Sequence, residues 1–268
     1  MPTDKFYSCA LITGASSGLG EEFALQIAPR VEKLILVARR EALLLDLAQT
    51  LRESHPKLTI VPWVADLSEP EDCRRLLEHL VAAGLLPDLL INNAGLGDYG
   101  EFASAEWGKL SAMLRVNVEA LTQLAHALAP KMIAQGGGAI VNVSSLASVI
   151  PIPDFAVYAA TKAYVTSFSE ALRIELRGHG VRVLAVCPGP VRTGFGSVAR
   201  RSETSQGMPA KKSFYVAKEQ VVAESLAALE RGAARVYPGL KTQLAARGLL
   251  AMPLVLLRFV MGFRPRRH

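Results

Sequence analysis

Cysteine is scarce: the 268 residues hold three, Cys9, Cys73 and Cys187, far apart and with no CxxC pair. An odd, scattered set excludes a disulfide framework and points to a reducing, intracellular compartment, which we take to be the cytoplasm. The five histidines are equally dispersed and no HExxH occurs, so no metal is expected. No GxSxG surrounds Ser145, so it is not a hydrolase nucleophile on a strand elbow, and GxxxxGK[ST] is missing, which excludes a P-loop. Aromatic residues make up 6% and do not interleave with basic ones. A net charge of +6 therefore does not imply a nucleic-acid partner. No run of about 18 uncharged apolar residues is present, so no membrane span is expected. Met1 to Ser8 includes Asp4 and only a brief apolar stretch, unlike a secretory signal. No Gly-, Ser- or Pro-rich linker divides the chain, and no solenoid-length repeat is visible.

What is abundant is apolar surface. Half of the residues are hydrophobic and mean hydropathy is positive. That implies a large core, or apolar surface covered by a second copy, hence a homodimer or homotetramer. Short apolar runs alternate with stretches of helical period. Strands are expected at Cys9–Thr13, Lys33–Ala38, Leu58–Ala65, Asp88–Ile91, Ala139–Ser144, Val181–Cys187 and Ala234–Tyr237. Helices are expected at Gly18–Ala28, Glu41–Ser54, Glu69–Ala83, Ser111–Ala134, Phe155–Arg177 and Lys218–Glu230. Such alternation predicts one α/β domain over 1–268: a doubly wound, Rossmann-type parallel sheet of about seven strands with helices on both faces.

The first strand runs into Thr13-Gly14-Ala15-Ser16-Ser17-Gly18-Leu19-Gly20, and a helix follows. Glycines let backbone approach a pyrophosphate, and a helix N-terminus supplies free N–H groups and a positive dipole end. Gly14, Ser16, Ser17, Gly18, Leu19 and Gly20 are therefore candidate phosphate contacts. The second strand ends in Ala38, not an acidic residue, and Arg39 and Arg40 follow. A carboxylate there would hold the ribose hydroxyls of NAD. A guanidinium instead accommodates the 2′-phosphate of NADP(H), with Arg39 the first candidate and Arg40 the second.

Tyr158 and Lys162 lie at i and i+4 on one helical face, so the ammonium can sit near the phenol. A phenol titrating near 10 shuttles protons at neutral pH only if something stabilises its anion. Ser145 closes an apolar strand thirteen residues before Tyr158, beside a competing Ser144. Asn92-Asn93-Ala94-Gly95 closes another strand at the same edge, and Asn117 is a lone polar residue in an apolar helix, a pattern that usually means a satisfied core amide.

Together these motifs, from about Ser8 to Pro238, resemble the short-chain dehydrogenase/reductase family in its compact, NADP(H)-preferring branch. The resemblance implies that Tyr158 is the general acid and that Lys162 lowers its pKa and holds the nicotinamide ribose. It implies that Ser145 binds the substrate oxygen and that Asn117 anchors a water linking Lys162 to a proton relay. Asp66, with Leu67 beside it, would meet the adenine. Asn93, Ala94 and Gly95 would line the adenosine side, and Pro188, Gly189, Val191 and Thr193 would border the nicotinamide. The implied reaction interconverts a small-molecule carbonyl and a secondary alcohol with NADP(H).

A least regular stretch, 194–216, would cover the substrate. Its Phe195, Val198, Met208 and Phe214, with Val149, Ile150, Ile152 and Phe155, suggest an apolar or lipid-like substrate. Ordinary packing is the competing explanation of these side chains. An apolar extension, 239–268, is interrupted by Pro253 and Arg258 and ends in Arg264, Arg266 and Arg267. It is read as helices packed on the domain or a subunit interface, with peripheral membrane contact the second reading. A non-catalytic cofactor-binding sensor is opposed by the intact Ser145, Tyr158 and Lys162. A nucleotide-sugar dehydratase or epimerase is opposed by the lack of a second lobe.

Overall fold

A computed structural model describes residues 7–201 and 214–262. Seven strands form one sheet: β1 (Tyr7–Thr13), β2 (Val31–Ala38), β3 (Thr59–Val64), β4 (Leu89–Asn92), β5 (Gly138–Val143), β6 (Val181–Val186) and β7 (Arg235–Val236). Every pairing is parallel, in the order β3-β2-β1-β4-β5-β6-β7. Parallel strands need crossovers, and the helices supply them. They are α1 (Gly18–Ile27), α2 (Glu41–Ser54), α3 (Pro70–Ala82), α4 (Trp107–Leu114), α5 (Leu121–Ala134), α6 (Ala156–Leu176), α7 (Phe195–Val198), α8 (Lys218–Glu230), α9 (Leu240–Ala251) and α10 (Leu254–Gly262).

The period of two along β1 sorts its side chains into two cores. Ala10 and Ile12 join Phe23 of α1, Leu44 of α2 and Val222 of α8 on one face. Cys9 and Leu11 join Leu76 of α3 and Leu124 of α5 on the other. All three cysteines are buried thiols, used as packing. At about 25 cal/mol per Å² of apolar surface, these two layers are what hold the sheet between its helices.

The helix expected over Ser111–Ala134 begins earlier, at Trp107, and contains a π-helical segment, Arg115–Ala120, between α4 and α5. Apolar periodicity is blind to one wide turn, and Asn117 sits inside it. The irregular 194–216 stretch contains α7, and Val216 bridges back to Val191; Met208 lies outside the described residues. Strand order reverses between β1 and β4. In such sheets a crevice opens at that point, outside the strands' C-terminal ends.

Candidate active site

The crevice is a cleft of about 720 Å³ at that edge. Its floor begins at the glycine turn after β1. Gly14 and Gly18 have φ of 66° and 64°, the left-handed region that glycine enters without a Cβ clash. Gly20 does not face the cleft. A Cβ there would stand 2.2 Å from the Gly14 carbonyl oxygen, so this glycine lets α1 close onto the turn. Gly14, Ser16, Ser17, Gly18 and Leu19 line the cleft beside the α1 N-terminus.

Two arginines flank this end and differ in what they hold. Arg39 Nη1 lies 3.3 Å from Asp66 Oδ2. Arg40 Nη2 donates to Ser16 Oγ at 3.0 Å and to Ser17 Oγ at 2.5 Å. Burial opposes the Asp66 charge, but bonds from Ser68 and the Arg39 guanidinium outweigh it and hold the carboxyl below its ordinary value. Arg39, the first candidate for the 2′-phosphate, is paired to a carboxylate, whereas Arg40, the second, rests on two neutral hydroxyls.

The β4 turn is stitched to the β1 turn. Thr13 Oγ1 accepts from the Asn93 and Ala94 N–H groups, each at 3.0 Å. Asn93 Nδ2 donates to the Thr13 carbonyl at 2.8 Å. The Asn93 amide therefore shapes the wall, which Asn93, Ala94 and Gly95 then present to the cleft. Thr13 opens the glycine-turn motif in the sequence, but nothing there shows that its hydroxyl ties the β1 turn to the β4 turn.

The catalytic candidates converge at the other end. Tyr158 is stacked on Phe155 with ring centroids 4.1 Å apart. Lys162 Nζ lies 5.7 Å from the Tyr158 ring centroid and donates to the Val143 carbonyl at 2.9 Å. Burial pushes the Tyr158 phenol up to about 12, and a hydrogen bond with Ser145 pulls partway back. Burial lowers the Lys162 ammonium to about 8. The two adjacent serines, both on the cleft lining, differ in what they hold. Ser144 Oγ donates to the Lys162 carbonyl at 2.8 Å and meets Thr166 Oγ1 at 2.7 Å, which commits it to holding α6. Ser145 faces the cleft and meets Tyr158.

Asn117 is a satisfied core amide. Its Oδ1 accepts from the Leu96 N–H at 2.8 Å, and its Nδ2 donates to the Leu96 carbonyl at 2.9 Å and to Thr161 Oγ1 at 3.1 Å. It ties the β4 loop to α6 one residue before Lys162. A Cβ on Gly95 would lie 3.4 Å from Lys162 Nζ and 3.5 Å from Asn117 Oδ1, so the three meet at the cleft wall, which Gly95 and Lys162 line.

Asp66 and Leu67 line the arginine end of the cleft, and Pro188, Gly189, Val191 and Thr193 its far wall. Ile150, Ile152, Phe155, Phe195 and Val198 reach it as expected, whereas Val149 and Phe214 do not. Tyr99 and Tyr215 also reach it, with no sequence signal beyond lying in loops. Among the described residues no group of three His, Cys, Asp or Glu side chains converges to hold a metal.

This geometry agrees with comparison to known proteins. The family model described as short chain dehydrogenase matches residues 8–204. The chain belongs to that family. A short-chain dehydrogenase from Sphingobium yanoikuyae, solved in complex with NADPH, is 32% identical, with a TM-score of 0.79 and 97% of each chain covered. A bulky-bulky ketone specific alcohol dehydrogenase from Comamonas testosteroni is 30% identical, with a TM-score of 0.76, over 97% of this chain and 96% of that one. "Probable oxidoreductase EphD" of Mycobacterium tuberculosis is 33% identical over 183 residues, 68% of this chain. The match spans 31% of that longer protein. The segment matched by the family model contains the glycine turn, Ser145, Tyr158 and Lys162.

Proposed function

We propose that this short-chain dehydrogenase interconverts a carbonyl and a secondary alcohol with NADP(H), acting in the cytoplasm on an apolar substrate. One observation carries the reading. Tyr158 and Ser145 line one end of a cleft whose other end is a glycine turn, with Ser145 lowering the phenol's pKa and Lys162 buried beside it. The cleft fits a dinucleotide: an anion cradle, a groove past the strand ends and a basic flank follow in order. The relative solved with NADPH supports the phosphorylated form.

When bound, the nicotinamide supplies or takes the hydride. The chain supplies the rest. Gly14, Gly18 and the first turn of α1 present N–H groups to phosphates. Arg40, with Ser16, receives the 2′-phosphate, and Arg39 is held back by Asp66 in a supporting place. In reduction the Tyr158 hydroxyl gives its proton to the carbonyl oxygen as negative charge develops there. Ser145 donates a second hydrogen bond to the same oxygen. The Lys162 ammonium stabilises the phenolate left behind and reaches toward the nicotinamide ribose. Asn117 and Thr161 keep α6, and so Lys162, in register with the β4 loop. The Tyr99, Phe155 and Phe195 rings beside Tyr158 favour an apolar ketone.

NADPH oxidation with a panel of aryl and alkyl ketones tests this. Tyr158→Phe keeps the ring stacking and loses the proton, so kcat should fall by about 10²–10⁴-fold. Turnover unchanged across the panel would remove Tyr158 as the acid.

A further inference from the structure

The positive charge of this protein is not spread over it. Lys241, Arg247, Arg258, Arg264, Arg266 and Arg267 all fall after Gly239, and no Asp or Glu does. Of 30 basic and 24 acidic residues, these 6 basic ones leave 24 of each sign in residues 1–239. The body is formally neutral, and the C-terminal extension carries the whole excess of +6.

The extension is also two-faced. Its inner side is fixed to the domain: Thr242 and Ala246 of α9 and Leu257 of α10 are buried. A Cβ on Gly189 would stand 2.8 Å from Thr242 Oγ1, and one on Gly239 would stand 2.9 Å from Val216. Its outer side carries Leu240, Leu244, Leu250, Val255, Leu256 and Phe259, of which Leu240 is 71% and Val255 77% exposed. Lys241, Arg247 and Arg258 are exposed among them. Other exposed apolar side chains differ in their company: Phe102 and Trp107 sit beside Glu101 and Glu106, and Ile174 beside Glu175. Among the described residues no helix is long and apolar enough to cross a bilayer.

Apolar side chains interleaved with cations and free of carboxylates match an interface of apolar interior and anionic surface. We infer that the outer side of α9 and α10 docks on anionic lipid bilayers, lying in the headgroup layer. Leucine and valine side chains enter the acyl boundary, while the Arg247 and Arg258 stems extend their charges to phosphate headgroups. Anionic surfaces attract such residues with a strength that decays within a Debye length. The inference does not rest on the catalytic reading.

Flotation of the full chain tests it, with vesicles of phosphatidylcholine alone and of phosphatidylcholine mixed with phosphatidylglycerol. The chain should float with the mixed vesicles at low salt, stay behind with phosphatidylcholine, and be released at high salt. Removing two charges in Arg247→Gln/Arg258→Gln should weaken partitioning about 25-fold, near fivefold for each. Leu244→Asp/Val255→Asp should abolish flotation with circular dichroism and melting temperature unchanged. If that pair misfolds, the glutamine pair decides. The inference is overturned if the chain does not float with mixed vesicles, or if neither double variant weakens flotation. It is overturned too if Leu244→Asp/Val255→Asp only dissociates a dimer of a chain that binds no vesicles.

Discussion

At the scale of single residues, burial moves the two central groups in opposite directions. Tyr158 goes up to about 12 and Lys162 down to about 8. A phenol held neutral is ready to give a proton, and an ammonium titrating near 8 is still mostly charged at pH 7. Reduction needs both protonated, so kcat/KM should be level at neutral pH and fall above about pH 8 as Lys162 discharges. Lys162→Met should be slow throughout and lack that limb. Stability follows the same groups with its own sign. An unfolded lysine keeps its proton to about pH 10.4, whereas the folded one loses it near 8. Between those values the unfolded state binds more protons, so Lys162 makes stability rise with pH. Tyr158 works the other way: above about pH 10 the folded state holds the extra proton, and stability falls. Thermal melts of the apo protein across pH 7 to 11, against Lys162→Met, measure the first effect directly. A melting curve equally flat in both proteins would show that Lys162 is not desolvated.

At the scale of elements, the wall over Tyr158 is latched by a pair that lies outside the reacting group. Asp98, in the loop after β4, is buried and receives Arg201 Nη2 at 2.6 Å and Nε at 2.9 Å. Arg201 also donates to the Glu101 carbonyl at 2.7 Å, and the Tyr99 N–H donates to the Ala199 carbonyl at 2.8 Å. These bonds pin α7, and with it Phe195, against the catalytic rings. Arg201→Met should cost about 1–3 kcal/mol, since a buried carboxylate loses its partner. It should also raise KM for a ketone more than it lowers kcat if the proposed assignment holds, because α7 lines the cleft beside Tyr158 and supplies no proton. An unchanged KM would mean that α7 is held by its apolar contacts alone. In the sequence Arg201 is one member of a basic cluster, and nothing in spacing links it to Asp98, 103 residues earlier. The strands and the α1, α2, α6 and α8 helices are legible because burial writes its period into them. The π segment around Asn117 is not, because one widened turn barely shifts the apolar pattern. Tyr158, Lys162 and Ser145 are legible because the i, i+4 rule and the strand end place them. The different engagement of Arg39 and Arg40 is not, because it depends on Asp66 and on Ser16 and Ser17, which are close only after folding.

At the scale of the whole molecule, the cleft lies where the sheet divides, so a ligand there is held by both halves. The β1–β2–β3 half contributes the glycine turn and the arginines; the β4–β5–β6 half contributes Ser145, Tyr158 and Lys162. A ligand spanning them binds only the folded chain and shifts unfolding by mass action. At one hundred times its Kd the gain is about 2.7 kcal/mol, or roughly 5–10 °C in melting temperature for a chain of this size. NADPH should produce that shift, and NADH at equal concentration a smaller one, if Arg40 receives the 2′-phosphate as proposed. Arg40→Ala should remove most of the difference while leaving the NADH shift in place. Arg39→Asp should reduce the NADPH shift as well, by placing a second carboxylate beside Asp66 where the phosphate must sit. Equal shifts for the two cofactors in the unaltered protein would refute the 2′-phosphate assignment and leave the proton-transfer group untouched. In the proposed assignment the glycine turn and the Ser145–Tyr158–Lys162 group would serve either cofactor, so specificity would be set in the first half of the sheet and chemistry in the second.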